Sequence, residues 1–208
     1  GFKTATDNDY WAHYRNYGNI SRFDGNHYVK VMNANTEGVI HMGKEHANLF
    51  DRTSALIRVN EEDSYIVDLF RVDPKNKYDE YQYNFHTTEI NSNNTSLYNL
   101  SGGQEVSAPG GYVNETLKNV RQYNVGANKF SVDWNVKDTW NVYGNGNSAD
   151  TDIHMKVTML NASDYNRVML GEIVPPQNFT TVKSLPSLMV TAKGSTTFTA
   201  VMEAYRSN

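Results

Sequence analysis

Along much of this chain, apolar and polar residues alternate with a period of two. From Phe130 to Lys137, Phe130, Val132, Trp134 and Val136 alternate with Ser131, Asp133, Asn135 and Lys137. Side chains on a strand switch faces at every residue, so this pattern predicts a half-buried antiparallel strand with one wet face. Ile153, Met155, Val157 and Met159 alternate in the same way with His154, Lys156 and Thr158. Other strand-like runs are His27–Met32, Gly38–Met42, Leu49–Val59 and Arg167–Val174, the last stopping at Pro175-Pro176. Tyr112–Tyr123 reads as a short helical turn or an irregular strand. Asn91–Thr95 reads as a polar break, Ser101–Gly111 as a Gly-rich loop, and Gly144–Ser148 as a turn. Ser187–Ala192 and Thr196–Tyr205, separated by Lys193-Gly194-Ser195, read as a closing hairpin.

Two adjacent segments stand out. Tyr65–Val72 is an apolar run interrupted by Asp68 and Arg71. Tyr78–His86 alternates, with Tyr81, Tyr83 and Phe85 on one face and Gln82, Asn84 and His86 on the other. Asp73–Lys77 joins them and contains the turn formers Pro74 and Asn76, so the pair is expected to form a β-hairpin. Frequent turns and the lack of a sustained 3.6-residue period predict an all-β fold. The expected architecture is a large antiparallel two-sheet β-sandwich of about ten or more strands. Residues 1–26 form a polar and aromatic lead-in, and 27–208 form the sandwich.

Composition supports this class and narrows the function. Among 208 residues, 12% are aromatic and 14 are Tyr, a bias that favours strands. The net charge of −4 and the absence of a Lys/Arg patch argue against general nucleic-acid binding. No apolar stretch approaches the length of a membrane helix. With no Cys, the chain has neither disulfides nor thiolate chemistry, which is compatible with export in bacteria. No signal-peptide pattern opens the chain, and Gly1 is compatible with a natural start lying elsewhere.

Candidate chemistry is sparse. His86 ends the alternating strand, and with Gln82 and Asn84 it would form a row of hydrogen-bonding groups suited to sugar hydroxyls; the plainer alternative is a histidine satisfying a local backbone partner. Asp68 and Arg71 point to opposite faces, so Asp68 is expected to bond a backbone amide or a cross-strand Arg52 or Arg58. Trp134 reads as core, whereas Trp11 and Trp140 sit in polar surroundings and are candidates to stack on a sugar ring. None of the six His has a spacing that puts two ligands on one helix face, so no metal residue is assigned. The Gly-rich loop lacks the Lys-Ser/Thr ending of a phosphate cradle, and no Gly-X-Ser-X-Gly elbow occurs.

Several segments carry a resemblance. Tyr65–Val72 followed by Tyr83-Asn-Phe-His86 resembles the "VVD-(I/L)-FRV" and "Y-x-FH" strands in the C-terminal β-sandwich of heparinase II/III-like polysaccharide lyases. Phe50–Ile57 is similar to that family's "RRTLALV" strand, and Gly111–Arg121 to its "GYxYLxNVR" segment. Val168–Glu172 and Thr196–Tyr205 are similar to its closing "VILGE" and "TTFVAVLEPY" strands, and the segments keep their order.

The resemblance implies a secreted or periplasmic parent enzyme that cleaves uronic-acid polysaccharides, such as heparin, heparan sulfate or alginate, by β-elimination. That reaction needs a base to take the C5 proton and groups that neutralise the adjacent carboxylate. In the family these groups come from an N-terminal α/α toroid and from early β segments whose His and Asp can hold zinc. This sequence has neither "HxDALSFxL" nor "AHNTVVVDG", so no catalytic residue, metal residue or cofactor is carried over to it. The expected partners are an acidic polysaccharide and the toroid, with His86, Arg71, Asn84 and Trp140 as candidate substrate contacts. The alternative is a free-standing carbohydrate-binding or purely structural sandwich.

Overall fold

In a computed structural model, residues 18–36, 40–41, 44–45, 47–108, 117–137, 152–174 and 184–206 are described. The fold is all-β, with two antiparallel sheets packed as a sandwich. Sheet I has the order β1-β2-β5-β6-β15-β12-β11-β8. Its strands are Gly18–Gly25 (β1), Val29–Thr36 (β2), Ala47–Arg58 (β5), Ser64–Pro74 (β6), Ile90–Tyr98 (β8), Lys129–Val136 (β11), Ile153–Leu160 (β12) and Thr196–Arg206 (β15). Sheet II has the order β7-β14-β13-β10-β9, built from Glu80–His86 (β7), Leu100–Glu105 (β9), Leu117–Val125 (β10), Arg167–Ile173 (β13) and Leu185–Lys193 (β14). Ile40–His41 (β3) and Lys44–Glu45 (β4) make a small separate ladder.

Alternation builds the core. Phe130, Val132 and Trp134 of β11, Val157 and Met159 of β12, and Phe198 and Ala200 of β15 face the buried side of sheet I. Leu188, Val190 and Ala192 of β14 face them from sheet II. Each large apolar side chain buried in this way contributes about 1.5–3 kcal/mol. β14 is buried on its other side as well, where Met189 joins Met169, Leu117 and Val120 in a second cluster. A strand covered on both faces reads as a continuous apolar run, as Leu188-Met-Val190 does.

The expected hairpin of Tyr65–Val72 with Tyr78–His86 does not form. β6 is flanked by β5 and β15, so neither of its edges is left for β7, which pairs with β14 in the other sheet. Asn76 does make a turn, accepting from the Tyr78 and Asp79 amides, but the turn carries the chain from one sheet to the other. The closing hairpin fails for the same reason: β14 lies between β13 and β7, and β15 between β12 and β6. The two corners meet at Asp73, which accepts from Ser195 Oγ and from Asn48 Nδ2.

β7 crosses the strands of sheet I steeply. Its inward rings meet Phe50 of β5 (Tyr81), Phe198 of β15 (Tyr83) and Trp134 of β11 (Phe85). Two residues advance a strand by about 7 Å, while strands two positions apart in a sheet are separated by about 10 Å.

Other expectations also change. The polar stretch Asn91–Thr95 lies inside β8, and Ser101–Glu105 of the Gly-rich loop lies inside β9, where Gly102 and Gly103 take φ of 89°. Tyr112–Tyr123 resolves as an irregular strand from Leu117, with no helix among its described residues. The expected wet face of β11 is buried at Asp133 and Asn135, because polar partners on neighbouring strands close over them. Sheet I begins at Gly18, within the lead-in segment. Trp11, Trp140, the Gly144–Ser148 turn and Pro175-Pro176 lie outside the described residues.

Candidate functional site

Register brings a buried carboxylate under a half-exposed cation. In the β5–β6 ladder, Ser54 lies opposite Asp68 and Arg52 opposite Phe70. Side chains directly or diagonally opposite share a face, so Ser54 and Arg52 both reach Asp68. Ser54 Oγ donates to Asp68 Oδ1 at 2.7 Å. Arg52 Nη2 donates to Oδ2 at 2.6 Å, and its Nε lies 3.0 and 3.1 Å from the two oxygens. From the opposite sheet, Tyr83 Oη donates to Oδ2 at 2.8 Å. Asp68 is 1% exposed, whereas the Arg52 side chain is 50% exposed.

The electrostatics follow from these contacts. Burial pushes the Asp68 carboxyl up, but hydrogen bonds from Arg52, Ser54 and Tyr83, with the Arg52 charge, hold it below its ordinary value. The bond to Asp68 raises the Arg52 guanidinium further, against the cost of burial. Burial pushes the Tyr83 phenol far up, and the Asp68 charge adds to this, so it stays a donor. The guanidinium carbon lies 5.4 Å from the Tyr83 ring centroid, which fixes a second side of the arginine.

Arg52 and Tyr83 of this network line an open groove of about 360 Å³ between the sheets. Phe50 and Phe70 supply apolar surface, and Gln82 and Asn84 of β7 stand at its rim, hydrogen-bonded to each other. Among the described lining residues, Arg52 carries the one formal charge. The arrangement suits an oxygen-rich ligand: the Asp68-clamped guanidinium donates charge-assisted bonds, and the amides both donate and accept.

The structure does not gather the four sequence-predicted contacts into one site. Asn84 lies at this groove. His86 is exposed at the end of β7, opposite Ser187 and outside the groove. Arg71 lies on the opposite face of sheet I, where its Nη2 donates to Asp51 Oδ1 at 2.7 Å. Trp140 lies outside the described residues. Asp68 does take Arg52 as its partner, while Arg58 bonds the carbonyls of Asn60 and Glu61. That Arg52 would face a groove could not be read from the pattern, because Tyr83 and the rim come from the other sheet.

A second polar cluster lies on the outer face of sheet I. His154 Nδ1 lies 3.0 Å from Asp133 Oδ1, and Tyr205 Oη donates to Asp133 Oδ2. The His154 and Tyr205 rings stack 4.9 Å apart. Asn135, His154 and Tyr205 are directly opposite one another on β11, β12 and β15, so the cluster is a cross-strand row that single-strand periodicity could not reveal.

Among the described residues no three His, Cys, Asp or Glu converge on a metal position, and no step is derived through one. Among those residues no helix is long and apolar enough to cross a membrane. Compared with known proteins, the chain matches no family model and no curated protein.

Proposed function

We propose that this chain is the C-terminal β-sandwich of a heparinase II/III-like polysaccharide lyase and that it contacts the glycan through the Arg52 groove. In the parent enzyme it would pack on an α/α toroid and wall the cleft that holds a uronic-acid polysaccharide, in a secreted or periplasmic setting. β-Elimination itself would be carried by residues of the toroid and the early β segments. The ordered resemblance from Phe50 to Tyr205 supports the family reading.

The single observation that carries glycan contact is the position of Arg52. Arg52 is half exposed at an open groove that Gln82 and Asn84 also line, so a cation and two amides meet at one concave surface. The uronate carboxylate or a sulfate would take the guanidinium edge left by Asp68. Sugar hydroxyls would bond Gln82 and Asn84, and His86 would extend that row. The net charge of −4 gives no long-range attraction for a polyanion, so recognition rests on contact hydrogen bonds. Because the groove lies within the chain, the isolated domain should bind glycan, as a free-standing carbohydrate-binding module would.

Affinity electrophoresis through gels containing alginate, heparan sulfate or chondroitin sulfate tests this. Retardation by at least one polymer, lost in Arg52→Gln with the fold intact, is expected. Unretarded migration of the unaltered chain in all three would overturn it.

A further inference from the structure

A second cleft opens between β8 and the β10–β13 pair, and a β-bulge builds it. On a regular strand Leu117, Arg121 and Tyr123 would share one face. Here the register passes from Lys118 opposite Glu172 to Arg121 opposite Leu170, so Asn119 and Val120 together face Gly171. The extra residue reverses the strand's parity. Leu117 and Val120 join the second apolar cluster, while Arg121 and Tyr123 turn into the cleft.

Two residues make the bulge possible. Asn119 takes φ of 54°, a left-handed conformation that Asn tolerates better than most residues. A Cβ on Gly171 would lie 3.2 Å from both Leu117 Cδ1 and the Lys118 carbonyl oxygen, so glycine makes the close approach without crowding. A backbone outlier that aims polar side chains into a cavity motivates a functional reading.

We propose that this cleft binds an uncharged, hydroxyl-rich sugar residue, an inference that rests on the glycan-binding reading above. Its volume of about 460 Å³ is within the range of ligand pockets. Glu172 accepts from Asn119 Nδ2 at 3.0 Å and from Ser184 Oγ at 2.8 Å, which fixes both carboxylate oxygens while leaving lone pairs for a ligand. Arg121 Nη1 is anchored on the Gly103 carbonyl at 2.9 Å, and its other N–H groups serve the cleft. Tyr123 and Leu97 supply apolar wall. The described lining has Arg121 against Glu89 and Glu172, a balance that repels an anion and suits a neutral polyol. The Arg52 groove has the opposite preference. A polysaccharide with acidic and neutral residues would thus have a separate seat for each kind.

Isothermal titration of the whole chain with cellohexaose and chitohexaose, both uncharged, and with an alginate hexamer tests the assignment. Glu172→Gln and Arg121→Gln should each weaken binding of a neutral hexamer about tenfold, the scale of one lost charged hydrogen bond. Neutral binding should not respond to salt, whereas alginate binding at the Arg52 groove should weaken as salt rises. Arg121 is exposed, so its variant is expected to fold even if Glu172→Gln does not. The proposal fails if neither neutral hexamer binds, or if both bind without loss in Arg121→Gln. Alginate binding that depends on Arg52 would survive either failure. Its loss alone would count against the Arg52 reading instead.

Discussion

The Tyr83 hydroxyl donates to Asp68 Oδ2 at 2.8 Å across the sandwich, joining β7 of one sheet to β6 of the other. These strands are consecutive in the chain, yet their polar contact is between layers and not along a ladder. Tyr83 is 1% exposed, so the bond is made where no water can replace it. Tyr83→Phe should therefore lower stability by about 1–2 kcal/mol, with an unchanged denaturant slope. Urea unfolding followed by tryptophan emission measures both. A larger slope change would mean that the sheets separate independently.

Arg52→Gln should cost more. It leaves the Asp68 carboxylate buried with Ser54 and Tyr83 as remaining donors. Removing one partner of a buried pair typically costs about 3–5 kcal/mol, but Arg52 is half exposed and two donors remain, so about 2 kcal/mol is expected. The double variant Arg52→Gln with Asp68→Asn should recover part of this loss in a thermal melt, because the uncompensated charge is then gone.

Acid should unfold the protein partly through Asp68. Its folded-state value lies below the ordinary carboxylate value, so its stabilisation is present above the unfolded value of about 3.9. That stabilisation is lost as pH falls through the folded value. Stability measured from pH 6 to pH 2 should fall less steeply in Asp68→Asn than in the unaltered chain. Equal slopes would mean that other carboxylates carry the acid transition.

Three phenols should resist ionisation. Burial pushes Tyr165 up to about 12, despite a bond to the Thr199 amide that lowers it. Tyr83 and Tyr205 are pushed higher by burial and by their bonds to Asp68 and Asp133. Absorbance titration near 295 nm should show a phenol fraction that ionises only together with alkaline unfolding, and Tyr83→Phe should shrink that fraction.

Gly171→Ala should destabilise the β10 bulge by about 1–3 kcal/mol, as overpacking does, because one of the opposing atoms is a backbone oxygen that cannot rotate away. Thermal denaturation measures this. Amide exchange should quicken first at Lys118–Arg121, where the ladder is already interrupted.

Much of the architecture was legible in the sequence because alternation is a local property. The pattern of β11 put Trp134 in the core, where it is 2% exposed, and the β12 pattern did the same for Val157 and Met159. The apolar run around Asp68 required a buried partner, and Arg52 was among the residues that could supply it. Polar strands were harder. Ser101–Glu105 lacks apolar alternation and is placed by backbone pairing with β10, while in Asn91–Thr95 the register pairs Thr95 with Trp134 of β11 and Asn91 bonds the Asn135 side chain.

The sequence by itself determined the class, the faces of the best strands and the need to pair Asp68, since each follows from the chemistry of a few neighbouring residues. Tertiary structure decided which strands are neighbours. The connections at Asp73–Lys77 and Lys193–Ser195 look like hairpin turns, but both carry the chain between sheets, because β6, β14 and β15 have both edges filled by strands distant in sequence. The same crossing sets Tyr83 over Asp68 and opens the groove at Arg52. A bulge of one residue, which periodicity reads as noise, decides whether Arg121 faces the second apolar cluster or the cleft.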